Sequence, residues 1–283
     1  MSAKESKQRI NLDKIKAEVD KKLKDGKVQE QETQVLKRGT EEYVLTGIPG
    51  FDALFEKGIP KGNAMIIAGG TGTGKTIMCL QICNNLASEG KKCLYMSFEE
   101  SQEKLESHMR EFNWDPKKLE NKGNLFIQRL NPFEITRNVE ALLAEAKGEL
   151  MIEAKALILP QDFTPDIIII DSLTAVASVF ISREDSYRIY IEQLFRAFED
   201  IGATSFLITE TDQMPTKFSP TGVEEFLGDG VIVLYSVRTG NVRENGIEVL
   251  KLRGAKHQKK IVAMQITDNG IVVYPDQEVL GLT

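Results

Sequence analysis

Residues 69–76 read Gly-Gly-Thr-Gly-Thr-Gly-Lys-Thr, and no other stretch so narrows what this chain can fold into. Gly69, four further residues and then Gly74-Lys75-Thr76 complete the phosphate-loop pattern. Ala64 to Ala68 before it is a short apolar run of strand type. Ile77 to Ala87 after it has helical composition and closes at Glu89-Gly90, a C-cap pair. Strand, loop and helix are the context the pattern requires. Glycines leave backbone N–H groups free to wrap a polyphosphate at a helix N-terminus, where the dipole favours negative charge. Gly70, Thr71, Gly72, Thr73, Gly74 and Ile77 are thus candidate nucleotide contacts. Lys75 is placed to reach the β- and γ-phosphates, and the Thr76 hydroxyl to ligate Mg²⁺. A glycine turn with no ligand needs neither the lysine nor the threonine.

A second stretch answers the first. Asp166-Ile-Ile-Ile-Ile-Asp171-Ser172 places four β-branched residues in a row, as suits a strand buried on both faces of a parallel sheet. A carboxylate at the end of such a strand lies at the C-terminal edge, where doubly wound sheets bind ligands. Asp171 therefore reads as a Walker B aspartate, holding Mg²⁺ directly or through water. Cys79, Cys83 and Cys93 are too few for a disulfide framework. Thiolate metal sites usually need more ligands than these cysteines offer, so core packing is the better reading.

The chain of 283 residues fits an α/β domain with an appendage. In residues 11–24, Leu12, Ile15, Val19 and Leu23 form one helical stripe, and residues 25–42 read as a polar linker. That helix is a candidate contact for a partner, a neighbouring subunit or its own domain. From Tyr43 a turn-rich entry leads into the loop's strand. Further strands are expected at Lys91–Phe98, Asn124–Arg129 and Ser205–Thr209, and helices at Ser101–Phe112, Phe133–Ala156 and 185–200. A long loop is expected over Glu210–Gly230. Val231–Tyr235 and Gly246–Leu252 are expected as antiparallel or edge strands, and 261–274 as a hairpin around Asp268-Asn-Gly270. The net charge of −6 speaks against a protein that coats nucleic acid. A polar start and the lack of any run of roughly 20 apolar residues give the expectation of a cytoplasmic protein with no membrane partner.

Several motifs together resemble the KaiC-like branch of the RecA superfamily of hexamer-forming ATPases. They are Thr46-Gly-Ile-Pro-Gly-Phe-Asp, the 69–76 loop, Phe98-Glu-Glu, Phe112-Asn-Trp-Asp115 and Ile170-Asp-Ser. Gly222-Val-Glu-Glu-Phe, Lys251-Leu-Arg-Gly with His257, and Ile266-Thr-Asp-Asn-Gly-Ile271 complete the set. The resemblance implies a RecA-like core, a mostly parallel sheet flanked by helices with antiparallel strands at its C-terminal end, spanning residues 43–283. It also implies ATP and Mg²⁺ as cofactors and a homo-oligomer, expected to be a hexamer. Glu99 and Glu100 match the acidic pair that polarises the attacking water, Glu99 being the better base. Otherwise the pair merely opens a helix. Lys251 and Arg253 match cations that reach the nucleotide of a neighbouring subunit, with Leu252, His257, Thr267 and Asp268 nearby on its base and ribose. The other reading is a solvated basic edge beside Lys256, Lys259 and Lys260.

Two departures qualify the likeness. Glu225 and Phe226 stand where relatives of autokinase type carry hydroxyls, so autophosphorylation is not expected. Ala255 replaces a small hydroxyl residue, and 147–160 is longer than the family pattern. The leading expectation is a Mg²⁺-dependent ring ATPase of regulatory or signalling type. The alternatives are a RadA-like recombinase paralogue that binds DNA, and a nucleotide-gated adaptor with little turnover. DNA is not favoured, because the matching loops at 179–185 and 210–225 mix Arg183 and Lys217 with several carboxylates.

Overall fold

The computed structural model describes residues 42–134, 159–180, 184–239 and 241–279. The helices expected over 11–24 and most of 133–156, and the long stretch ending at Pro160, therefore lie largely or wholly outside the described residues. A small antiparallel pair, β1 (Tyr43–Val44) and β2 (Ile59–Pro60), frames the entry segment, with a single 3₁₀ turn at Asp52–Leu54 between them. Asp52 holds that segment in shape by accepting from the backbone N–H groups of Thr46 and Gly47 and from the Thr46 hydroxyl.

The main elements then follow the expected order. They are β3 (Ala64–Gly69), α1 (Lys75–Ser88), β4 (Cys93–Ser97), α2 (Gln102–Glu111), α3 (Pro116–Asn121) and β5 (Leu125–Arg129). After the undescribed stretch come β6 (Ile167–Asp171), α4 (Leu173–Ser178), α5 (Glu184–Ile201), β7 (Thr204–Glu210) and α6 (Val223–Leu227). Four long strands close the fold: β8 (Gly230–Thr239), β9 (Val242–Leu252), β10 (Val262–Thr267) and β11 (Gly270–Glu278). Ser101 caps α2 by accepting from Lys104 N–H, and Asp115 caps α3 by accepting from Lys118 N–H.

Among the described residues these strands form one nine-stranded sheet in the order β11-β10-β9-β8-β3-β7-β6-β4-β5. From β8 to β5 every pairing is parallel; from β8 to β11 every pairing is antiparallel. The run Val231–Tyr235 was expected to be antiparallel or at an edge. It is antiparallel to β9, as expected, and it is also interior, with β3 running parallel on its other side. A buried apolar run is the same for either pairing sense, and only the crossover decides which one forms. The loop expected over Glu210–Gly230 contains α6, and α3 and α4 are short helices that the periodicity does not announce.

Both faces of the sheet are covered. On one face Cys93, Tyr95, Ile167 and Ile169 pack against Met78, Cys79, Ile82 and Cys83 of α1. On the other, Leu94, Met96, Ile168 and Ile170 meet Tyr187, Ile191, Leu194 and Phe198 of α5. Each such side chain contributes roughly 1.5–3 kcal/mol on burial, so alternate residues of one strand serve two cores. All three cysteines are buried and free, as packing residues. No described helix is long and apolar enough to cross a membrane.

One buried amide ties the C-terminal hairpin to the helix after the phosphate loop. Gln81 of α1 donates through Nε2 to the Ile271 carbonyl and accepts through Oε1 from the Ile271 N–H, at 3.1 and 2.7 Å. Gly270 sits so close that an added Cβ would meet Gln81 Oε1 and Trp114 Cζ2 at 2.7 Å, and its φ of +107° is one that side chains disfavour. Truncating Gln81 would leave two buried backbone groups unpaired, each worth about 1–3 kcal/mol. Gln81→Ala should accordingly lose roughly 2–4 kcal/mol in denaturant unfolding. It should also loosen the β10–β11 hairpin first, as read by amide exchange at Ile271.

Candidate active site

The loop between β3 and α1 is shaped by its own backbone. Gly74 at the N-cap of α1 has φ +98°, and a Cβ there would lie 3.1 Å from Ile266 Cδ1. The Thr73 hydroxyl donates to the Gly70 carbonyl at 2.9 Å, and Lys75 Nζ donates to the same oxygen at 3.0 Å. Burial holds the Lys75 ammonium below its usual value, opposed by the carboxylates of Glu210 and Asp171. Glu210, at the end of β7, stands 4.0 Å from Nζ. The ammonium is thus parked on a carbonyl at the mouth of a helix, where a phosphate oxygen would be a better partner.

Asp171 is the centre of the polar network. It ends β6 opposite Ser97 of β4, and its carboxylate is almost fully buried. Oδ2 accepts from the Thr76 hydroxyl at 2.9 Å and from the Tyr95 hydroxyl at 2.7 Å. Burial pushes the Asp171 carboxyl up from 3.8 to about 6, the two hydroxyls pull it down, and Glu99 and Glu100 push it further up. The Asp171 carboxylate beside the Thr76 hydroxyl, with Glu99 and Glu100 lining the same cavity, makes a hard oxygen donor pair of negative charge, which suits Mg²⁺. No cage of three or more His, Cys, Asp or Glu exists among the described residues. That agrees with the habit of Mg²⁺ to take one or two protein oxygens and fill its shell with water and phosphate. Thr76 and Asp171 are the residues that would hold it.

The acidic pair after β4 divides in two. Ser97 Oγ accepts from the N–H groups of both Glu99 and Glu100, which turns the chain at the strand end. Glu99 Oε1 accepts from the Ser172 hydroxyl at 2.6 Å, which fixes it beside Asp171. Glu100 is engaged elsewhere, by Lys104 Nζ at 2.7 Å and by His108 Nδ1 at 3.4 Å. Glu99 is therefore the carboxylate held toward the network, and Glu100 the one held by its own helix. Both line a cavity of about 330 Å³ with Thr71, Gly72, Gly74, Lys75, Thr76, Ile77, Asp171 and Ile266.

The remaining candidates separate into two groups. Thr267 and Asp268 sit at the turn that follows Ile266, on the same sheet edge as the phosphate loop, with the Thr267 hydroxyl donating to the Gly270 carbonyl. Lys251 and Leu252 instead pair with Val231 and Gly230, level with Ile66 and Met65 at the start of β3. They lie toward the opposite edge of the sheet. Lys251 Nζ donates to the carbonyls of Glu225, Phe226 and Gly228, and Arg253 Nη2 to that of Phe226. Burial lowers the Lys251 ammonium, with Arg253 beside it acting in the same sense. Arg253 also faces Asp229 at 3.7 Å and lines a larger cleft of about 850 Å³ with Lys61, Asn63 and Arg196. That cleft has no phosphate-loop geometry. His257 bridges to Phe55, and its Nε2 is buried without a hydrogen-bond partner among the described residues. The six residues expected around one neighbouring nucleotide are thus split between two edges.

Tyr95 and Gln213 belong to the site and escape a reading of local pattern, while Ser172 was legible in its motif but not its bond to Glu99. Gln213 Nε2 donates to the Thr71 carbonyl at 2.9 Å, and a Cβ on Gly70 would strike its side chain at 2.7 Å. Only strand register puts Tyr95 under Asp171. A tyrosine in a buried strand beside an acid-terminated strand is the signal that was there to be read.

The buried Asp171 charge makes a pH prediction for the metal-free protein. Its folded pKa lies above its unfolded one, so the folded state binds the extra proton and stability falls as pH rises from about 4 to about 6. Asp171→Asn removes the charge and keeps the acceptor. In EDTA at pH 8 it should be more stable by roughly 2–3 kcal/mol, and the two proteins should converge below about pH 4, as checked by melts across that range.

The family model described as "ATPase: KaiC" matches residues 44–278. The circadian clock oscillator protein KaiC of Synechococcus elongatus is 31% identical over 242 residues, covering 81% of this chain and 44% of that protein. The chain thus spans less than half the length of this clock relative. A UPF0273 protein of Pyrococcus horikoshii is 30% identical over 240 residues and is covered to 94%. The crystal structure of a KaiC-like protein from Pyrococcus horikoshii OT3 superimposes with a TM-score of 0.67 at 32% identity, covering 82% of this chain and 99% of that one. With a RecA-type sheet, an intact phosphate loop and a model match over most of its length, this chain belongs to the KaiC family of ATPases.

Proposed function

We propose that this protein is a Mg²⁺-dependent ATPase that works as a cytoplasmic homohexameric ring, with each nucleotide site completed by Lys251 and Arg253 of the next subunit. The observation that carries this reading is the separation of the two half-sites. Lys251 is level with Ile66, three residues short of Gly69, and its ammonium is turned onto carbonyls around α6. At about 3.3 Å per residue the strand alone sets it some 10 Å below the edge. Cations so placed have no route to the phosphates of their own chain. A head-to-tail contact would bring the far edge of one subunit to the phosphate-loop edge of the next, and heterologous contacts whose rotation closes form rings. Phe226, an exposed aromatic beside these cations, suits burial in that contact.

In this reading Lys75 draws the β- and γ-phosphates, Thr76 and Asp171 hold the metal, and Glu99 orients and deprotonates the attacking water. The neighbour's Arg253 would meet charge that grows on the phosphoryl oxygens in the transition state. Leu252, His257, Thr267 and Asp268 would contact the base and ribose of the neighbour's nucleotide, as the likeness to KaiC-like rings implies. No autokinase role is proposed, since Glu225 and Phe226 offer no hydroxyl to phosphorylate. A regulatory role for the ring rests on the likeness to clock proteins.

Glu99→Gln should lower turnover by about 10²-fold or more with ATP still bound, which phosphate release and equilibrium binding read separately. Complementation tests the shared site. Lys75→Ala and Arg253→Ala should each be inactive alone, and mixed assemblies should regain part of the activity. At some contacts an intact phosphate loop then faces an intact arginine. No recovery in verified mixed assemblies would contradict the trans assignment. Single-stranded DNA should leave the rate unchanged; stimulation that falls steeply with salt would favour the recombinase reading.

A further inference from the structure

Tyr95 reaches the site from within the core and touches neither the phosphate loop nor the acidic pair through a hydrogen bond. It lies mid-strand in β4, fully buried, on the face that packs against α1. Parallel register sets it opposite Ile169, two residues before the pair Ser97–Asp171. Two residues of strand rise about 6.6 Å, a distance that an outstretched phenol ring spans. The ring runs up inside the core, and its hydroxyl ends 2.7 Å from Asp171 Oδ2. The Thr76 hydroxyl donates to the same oxygen at 2.9 Å. Among the described residues Oδ1 has no hydrogen-bond partner.

We propose that Tyr95 is a positioning residue for the divalent cation, its buried hydroxyl pinning Oδ2 of Asp171 so that the carboxylate keeps the orientation in which Asp171 and Thr76 serve the metal. A carboxylate at the end of a strand can swing about two side-chain torsions. Thr76 alone does not stop this, because its hydroxyl must also offer its oxygen to the metal. Tyr95 comes from a different strand and has no other hydrogen-bond partner among the described residues, so it fixes the carboxylate from behind. Partners that orient a metal ligand in this way are commonly worth about 10- to 100-fold in metal affinity. A phenylalanine would fill the core equally well, so packing does not call for the hydroxyl.

The inference rests on the Mg²⁺ reading of the site, and the test separates the two. Tyr95→Phe deletes one oxygen and keeps the ring. Mn²⁺ serves as the probe, its affinity read by the loss of the free-ion paramagnetic resonance signal in protein saturated with a non-hydrolysable ATP analogue. The expected result is about tenfold weaker Mn²⁺ binding in Tyr95→Phe. Analogue binding in EDTA should stay within about twofold of the parent, since the metal-free step does not use Asp171. In an Asp171→Ala background the same substitution should change nothing, because Tyr95 acts through Asp171. Unchanged Mn²⁺ affinity in Tyr95→Phe would overturn the proposal, as would an equal loss in the Asp171→Ala background. Should the parent bind no Mn²⁺ beside the analogue, the Mg²⁺ reading itself fails and this inference falls with it. A melt in EDTA verifies that each variant is folded.

Discussion

A parallel sheet buried on both faces leaves only its two edges for chemistry. From β8 across to β5 the strands run the same way, so all their C-terminal ends open onto one edge. Gly69, Ser97, Asp171 and Glu210 end four of those strands. Their neighbours in sequence supply the phosphate loop, the acidic pair and the Ser172 cap. The apolar interior is therefore a condition of the site as well as of stability. It lifts the Asp171 carboxyl toward neutrality and lowers the Lys75 ammonium, whose hydrogen bond goes to a backbone carbonyl. A magnesium–nucleotide complex would answer both at once.

The antiparallel extension gives the far edge its own role. Because β9 runs back alongside β8, the chain returns Lys251 and Arg253 to the level at which β3 begins, where carbonyls around α6 receive them. The next hairpin climbs again and lays Ile266 against Gly74, held there by the Gln81 amide on Ile271. One continuous meander thus contributes to both edges. In the proposed ring it joins the nucleotide a subunit binds to the cations it lends.

Local pattern carried the phosphate loop and its flanking strand and helix, the acid-ended strand at Asp171 and the Ser101 cap. In each, the residues that interact are close in sequence or obey a fixed spacing. The antiparallel pairing of β8 with β9 was legible, but the parallel partner of β8 was not. Val231–Tyr235 is apolar whichever neighbour it takes, and its parallel partner β3 lies some 160 residues earlier in a relation only the crossover creates. The same reason hid Tyr95 and Gln213, whose partners Asp171 and Thr71 are 76 and 142 residues away. Lys251, Leu252, Thr267 and Asp268 are grouped by the family resemblance; strand β10 separates the first two from the last two, so within one subunit they stand at different edges.

The central claim is that one chain holds only half of a working site. Its most direct test is ATP hydrolysis per subunit as a function of protein concentration, with mass measured by light scattering at the same concentrations with Mg²⁺ and ATP present. The account predicts that specific activity rises in step with assembly and falls toward zero on dilution to monomer, while the monomer still binds ATP. A monomer that hydrolyses ATP at the rate of the assembled form would contradict it.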